Sequence, residues 1–103
     1  MKLAFAVDEA RGLDSLISHR FGRAEYFVIV DADTGSHKVV RNPGAEARSG
    51  AAIKAIQLLI KEGVKKVYAG SFGPNAMTAL EEMGIEYEQV SGVPVREVLK
   101  SKT

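Results

Sequence analysis

Lys66-Val67-Tyr68-Ala69-Gly70-Ser71-Phe72-Gly73-Pro74-Asn75-Ala76 is the stretch that decides the fold. A short apolar run gives way to two glycines and a proline, and then to an amphipathic segment. That is the pattern of a buried strand turning into a helix. Pro74 suits the first helical position, where its missing N–H costs nothing, and the glycines admit backbone angles closed to other residues. The N–H groups of Asn75, Ala76 and Met77 are then expected to point out of the helix start, an end that attracts anions. The turn is therefore a candidate site.

Working outward, Ala52, Ile53, Ile56, Leu59 and Ile60 recur at helical spacing and predict a helix that is apolar around much of its girth. Ser49 is read as their N-cap, and Gly63 stands just past the end. The helix that begins at Pro74 is expected to run to about Met83, with Met77, Leu80 and Met83 inward and Gly84 closing it. Ile85 to Glu88 reads as a short strand, and Pro94 to Lys100 as a final helical turn or two. Toward the N-terminus, Lys2 to Val7 is short and almost wholly apolar, as a strand buried on both faces would be. Tyr26 to Val30 is the most β-prone run and is followed by a turn at Asp31 to Gly35. With His37 to Arg41 it makes a hairpin. Asp8 to Glu25 reads as a long connection without a period of its own, a length that marks function or disorder in a small domain.

The order β-β-β-α-β-α-β predicts one α/β domain over residues 1 to 103, built on a mixed five-stranded sheet. The first three strands form a meander, and strands reached through a helix run parallel to their neighbours. If the strand at Lys65 to Ala69 lies beside the first strand, several loops and both helix starts converge on one sheet edge, where open α/β sheets bind ligands. His19, Arg20, Arg23, Asn42, Arg48, Ser49, Ser71 and Asn75 fall in or beside those segments. Two helix starts with arginines favour an anionic ligand.

Composition narrows the classes. There are 14 basic against 13 acidic residues, and the basic ones are scattered, which argues against a nucleic-acid binder. The chain has no cysteine, which excludes disulfides, thiolate zinc sites and any cluster held by its own sulfurs. A metal would have to be met by His, carboxylate or backbone. The apolar run at Leu3 to Val7 is too short for a membrane span or a signal peptide, so a cytoplasmic protein without membrane partners is expected.

No catalytic constellation stands out, and the chain is not expected to be an enzyme. Asp33-Thr34-Gly35-Ser36 matches the tetrapeptide of pepsin-like proteases, but here it sits in a hairpin turn of a chain with two clear helices. The strand order also resembles the ribonuclease H-like architecture, whose nucleases hold two metals with several carboxylates. This chain supplies Asp8, no acid in the first helix before Glu62, and Ala69-Gly70-Ser71 where another acid would be needed. His19 is a candidate ligand and His37 a weaker one. Phe21-Gly22 reads as an aromatic plug followed by a tight bend, and Arg23 as a partner for Glu25.

Together, Ser18-His-Arg-Phe-Gly-Arg-Ala-Glu-Tyr-Phe27, Val28 to Asp31, Asn42, Ser49-Gly-Ala-Ala52, Gly63-Val64 and Gly70-Ser-Phe-Gly-Pro-Asn-Ala76 resemble the dinitrogenase iron-molybdenum cofactor biosynthesis family. The resemblance runs from the first strand to about Glu88. It implies a ribonuclease H-like fold without the nuclease carboxylates. In nitrogen-fixing members it also implies transient binding of the iron-molybdenum cofactor or its iron-sulfur precursor. Members often carry His directly before the Phe-Gly pair, where this chain has Arg20 with His19 one place earlier, and a Gly pair where it has Ser49-Gly50. The expectation is a carrier that exchanges an anionic metal–sulfur cluster with donor and acceptor proteins, with His19, Arg20, Arg23, Asn42, Ser49, Ser71 and Asn75 at the ligand and His19 as the metal ligand. The alternatives are a small enzyme or sensor for a phosphorylated or carboxylated metabolite at the same edge, and a protein-interaction module.

Overall fold

A computed structural model describes residues 1–101. The strands are β1 (Lys2–Val7), β2 (Tyr26–Asp31), β3 (His37–Arg41), β4 (Val64–Ala69) and β5 (Glu86–Gln89), and the helices α1 (Ala51–Lys61), α2 (Pro74–Glu82) and α3 (Val95–Ser101). They form one sheet in the order β3-β2-β1-β4-β5. β2 is antiparallel to both β1 and β3, whereas β1 pairs parallel with β4 and β4 with β5. The expected mixed five-stranded architecture is present, with β4 beside β1.

Alternation along the strands divides the core. Ala4 and Ala6 of β1, Phe27 and Ile29 of β2, and Val67 and Ala69 of β4 pack with Ala55, Ile56 and Leu59 of α1 and with Ala76 and Leu80 of α2. Leu3, Phe5, Val7, Val28, Val30 and Tyr68 face the other way, onto Ile17 and onto Val95 and Val98 of α3. On that second face Phe5 and Tyr68 stack with centroids 4.6 Å apart. Lys66 lies over the Tyr68 ring while its Nζ reaches Glu88 at 2.9 Å, so an apolar stem and a charged head finish the face that α3 leaves uncovered. The hydrogen bond from Lys66 to Glu88 also raises the Lys66 pKa.

Several boundaries differ from the sequence reading. The N-cap of α1 is Gly50, in the left-handed region at φ 68°, rather than Ser49, and no side chain caps that end. Ile53 and Ile60 point outward, each about half exposed, and Ala55 takes the inward place. Ala55, Ile56 and Leu59 are the buried stripe of α1, in one cluster with Ala4, Ala6 and Ala69 of the sheet, and Ile53 and Ile60 turn away. Met83 is likewise exposed and caps α2, while Ala76 is buried. Met77 lies partly buried against the core as expected. β5 begins one residue late, at Glu86, and α3 begins at Val95. The connection from Asp8 to Glu25 is also ordered: it holds a 3-10 turn at Gly12–Asp14, and isolated bridges join Ile17 to Val7 and Leu16 to Pro94.

Glu62, at the end of α1, receives a hydrogen bond from Lys38 of β3 at 2.7 Å. That bond, reinforced by the charges of Lys38, Lys2 and Lys61, holds the Glu62 carboxyl below its ordinary value of 4.5. A depressed carboxyl stabilises the fold above its unfolded pKa and loses that contribution as pH falls through the folded value. Glu62→Gln should therefore be less stable than the wild type at neutral pH by about 1 kcal/mol or less. The gap should close on acidification below pH 4.5 in urea titrations run across pH.

Candidate functional site

The carboxyl ends of β1, β3, β4 and β5 lie on one edge, because β2 alone runs against the others. The chain leaving β1 crosses this edge directly over the β4–α2 turn. The Ser18 N–H donates to the Ala6 carbonyl at 2.7 Å, and the Gly70 N–H donates to the Ser18 carbonyl at 2.8 Å. The Ser71 hydroxyl donates to the His19 carbonyl at 2.7 Å, the Arg20 N–H to Ser18 Oγ at 3.2 Å, and the Phe21 N–H to the Ser71 carbonyl at 3.1 Å. The backbone from Ser18 to Phe21 is thus tied down link by link while the side chains of His19 and Arg20 stand exposed on the crest. Below it Phe21 is 2% exposed, with its ring 5.2 Å from Phe72 and 5.7 Å from Phe27. The aromatic plug expected from Phe21-Gly22 is in place.

The glycines of the β4–α2 turn have a different reason from the one the sequence suggested. Neither Gly70 nor Gly73 adopts a positive φ. Gly70 is needed for close approach: a Cβ there would lie 2.6 Å from the His19 Cα and 2.8 Å from the Ser91 Cβ. Pro74 does occupy the first turn of α2 behind an extended Gly73. The Met77 N–H, expected to be free, donates to the Gly73 carbonyl at 3.0 Å, which leaves Asn75 and Ala76 as the N–H groups at that helix end.

A second cluster joins the loops after β1 and β3 to the start of α1. Asn42 is 3% exposed. Its Nδ2 donates to the carbonyls of Gly22 at 3.1 Å and Ala24 at 2.9 Å, and its Oδ1 accepts the Gly44 N–H at 2.8 Å. Gly44 fits where a Cβ would strike the Ala51 carbonyl at 2.3 Å, and Gly22 lies against the Ala52 nitrogen. Arg23 does not pair with Glu25, whose carboxylate lies 4.0 Å from Arg41 instead. Its guanidinium donates to the carbonyls of Ala47 and, at 3.4 Å, Gly44. Asn42 is spent on holding the loops, whereas Arg48 and Ser49 are exposed beside them and Asn75 is exposed on the first turn of α2.

The structure thus brings His19 and Ser71 into direct contact, gathers Arg23, Asn42 and Ser49 around the α1 start, and joins the two groups through Phe21 and Gly22. It also adds a loop the sequence reading passed over, Val90 to Val93. There Ser91 packs against Gly70, the Ile17 N–H donates to the Val93 carbonyl, and the Gly92 N–H donates to the Ile17 carbonyl. The Ser91-Gly92 pair reads in sequence only as a turn. Two grooves, of about 440 and 400 Å³, flank β5, and the 440 Å³ groove is bordered by Val90 and Val93 of that loop. Among the described residues no group of three or more His, Asp or Glu gathers as a metal site. The edge offers an imidazole, arginines and helix N–H groups, a donor set for an anion held by charge and hydrogen bonds more than by chelation.

Fold and edge together define a small mixed α/β protein whose candidate site is an open rim of loops at the carboxyl ends of its strands. The family model for dinitrogenase iron-molybdenum cofactor matches residues 1–102, and the chain belongs to that family. An uncharacterized protein of Methanocaldococcus jannaschii is 26% identical over 103 residues, with 97% of this chain and 83% of that protein covered. Among solved structures, the apo form of the orange protein from Desulfovibrio gigas superposes with a TM-score of 0.91 at 37% identity, covering 98% of this chain and 85% of that one. A NifB-like protein from Thermotoga gives a TM-score of 0.82 at 33% identity, covering 98% and 85%. The expected family is thereby shown.

Gly70→Ala should cost about 1–3 kcal/mol, because the added methyl meets backbone that is hydrogen-bonded on both sides. Urea denaturation measures the loss, and amide chemical shifts from Ser18 to Phe21 should move with it. A variant with the wild-type midpoint and unshifted amides would mean that the His19 crest is not held against this turn.

Proposed function

We propose that the chain is a carrier for an anionic metal–sulfur cluster of the iron-molybdenum or iron-sulfur precursor type, held transiently on the loop rim. One observation carries this reading: hydrogen bonds tie down the backbone from Ser18 to Phe21 while the side chains of His19 and Arg20 stand exposed above it. A rigid crest bearing an imidazole and a cation, next to the uncapped starts of α1 and α2, suits a negatively charged ligand. Family membership supplies the ligand class, and the orange protein, solved in its apo form, supports a protein that is loaded and unloaded.

In this reading His19 contributes a single metal ligand. Arg20, Arg23, Ser49, Ser71 and Asn75 contribute charge or hydrogen bonds, and Asn42 positions the loops. A cysteine-free rim with one imidazole binds loosely enough to hand its cargo to acceptor proteins in the cytoplasm. The strand order and the reversed β2 support the ribonuclease H-like reading of the fold. Among the described residues, Asp8 after β1 joins no group of three or more His, Asp or Glu, which argues against two-metal nuclease chemistry.

Anaerobic titration with isolated iron-molybdenum cofactor, followed by absorbance, tests the proposal. Binding is expected at micromolar concentration, and His19→Ala should weaken it about tenfold or more while leaving the thermal midpoint within a degree or two, because the side chain is exposed. Stabilisation by phosphate or a small carboxylate with no response to the cofactor would favour a metabolite sensor instead. A cofactor titration without any absorbance change would sink the carrier reading.

A further inference from the structure

The arginines of this chain fall into three kinds. Arg11, Arg41 and Arg96 lie against carboxylates of Glu9, of Glu25 and Glu46, and of Asp14. Arg20 and Arg48 are exposed, and among the described residues no hydrogen bond or ion pair fixes their side chains. Arg23 is the third kind. It is half-buried, and one terminal nitrogen of its guanidinium is anchored on the carbonyls of Ala47 and Gly44. Among the described residues no carboxylate pairs with it, and its Nε–H and its other terminal nitrogen have no hydrogen-bond partner.

Two consequences follow from guanidinium chemistry. Carbonyl dipoles satisfy N–H groups without cancelling the charge, so an ordered, half-buried cation stays uncompensated within the chain. The planar group is also always protonated, and anchoring one nitrogen fixes the orientation of the whole fork. The edge formed by Nε–H and the remaining terminal nitrogen is the one that grips paired oxygens in parallel. The carbonyls that anchor it are themselves held: Gly44 is locked between Asn42 Oδ1 and the Ala51 carbonyl, and the Ala47 N–H donates to the Gly44 carbonyl at 3.2 Å.

We infer that Arg23 is a prepositioned bidentate receptor for an oxyanion, a carboxylate or a tetrahedral oxo-anion, and determines which anionic ligands the rim accepts. This deepens the carrier reading and rests on it: paired oxygens presented by the anionic ligand meet Arg23 while a metal-bearing part lies toward His19. Asn42 is a positioning residue that acts through Gly44 on the Arg23 anchor.

The experiment uses the whole chain and three probes: inorganic molybdate, citrate, and isolated iron-molybdenum cofactor. In ¹⁵N-resolved NMR of the wild type, molybdate or citrate should move the Arg23 Nε–H resonance downfield, a response that a purely structural arginine would not give. Calorimetry should find Arg23→Lys, which keeps charge and can still reach a carbonyl, at least tenfold weaker for both probes. Arg23→Gln, which keeps donors for the carbonyls but has no charge, should be weaker still. An Arg23 resonance unmoved at saturating probe, or Arg23→Lys with wild-type affinity, would overturn the inference. Cofactor binding by a wild type that ignores both oxyanions would also overturn it while leaving the carrier reading standing. Oxyanion binding through Arg23 without cofactor binding would leave the receptor in place and remove the carrier.

Discussion

Parallel pairing of β1 with β4 is the constraint on which everything else in this protein hangs. Residues more than sixty positions apart, such as Leu3 and Lys66 or Phe5 and Tyr68, are set side by side by it. Once they are, the chains leaving both strands emerge on the same edge within hydrogen-bonding reach. The two segments then complete each other: the outgoing β1 chain supplies the Ser18 and His19 carbonyls, and the β4–α2 turn supplies the Gly70 N–H, the Ser71 hydroxyl and the Ser71 carbonyl. Backbone polar groups on a rim would otherwise be left to water, so this mutual satisfaction fixes a crest where a flexible loop would be expected.

A rim built in this way separates groups spent on holding the loops from groups left exposed. Asn42 is buried, and its amide and carbonyl are consumed by three loop contacts; leaving those partners unsatisfied would cost on the order of 1–3 kcal/mol, so its chemistry is committed to architecture. Ser71 likewise donates its hydroxyl proton to the His19 carbonyl. His19 and Arg20 keep their side chains outside the network that fixes their backbone. Arg23 lies between these extremes, anchored by one nitrogen and open at the other edge. Charge is available at this rim, although among the described residues no group of three or more His, Asp or Glu gathers as a metal site.

Strong local patterns were legible in the chain itself. The hairpin from Tyr26 to Arg41, the proline-led start of α2 and the glycines ending both longer helices each rest on a residue whose backbone preference admits few alternatives. The errors fell where the choice belongs to packing. Ile53 and Ile60 look like core residues by hydrophobicity, yet they lie on the exposed flank of α1, while Ala55 shares the buried stripe with Ile56 and Leu59. Ser49 is a good capping residue by type, but the chain enters α1 through a left-handed Gly50 that places no side chain over the helix end.

The sequence by itself determined the elements, their order, the mixed sheet and the family, because these follow from periodicity, turn chemistry and motifs that lie in consecutive residues. It also predicted that the segments after β1, β3 and β4 converge on one sheet edge, since chain order and crossover geometry suffice for that. Only the tertiary structure decided the duties within the site. That Gly70 is a close-approach glycine, that Asn42 is a buckle, that Arg23 ignores neighbouring Glu25, and that Ser91 belongs to the rim all depend on distances between segments far apart in the chain. No local pattern encodes such distances; they are set when the sheet closes and each polar group finds its partner.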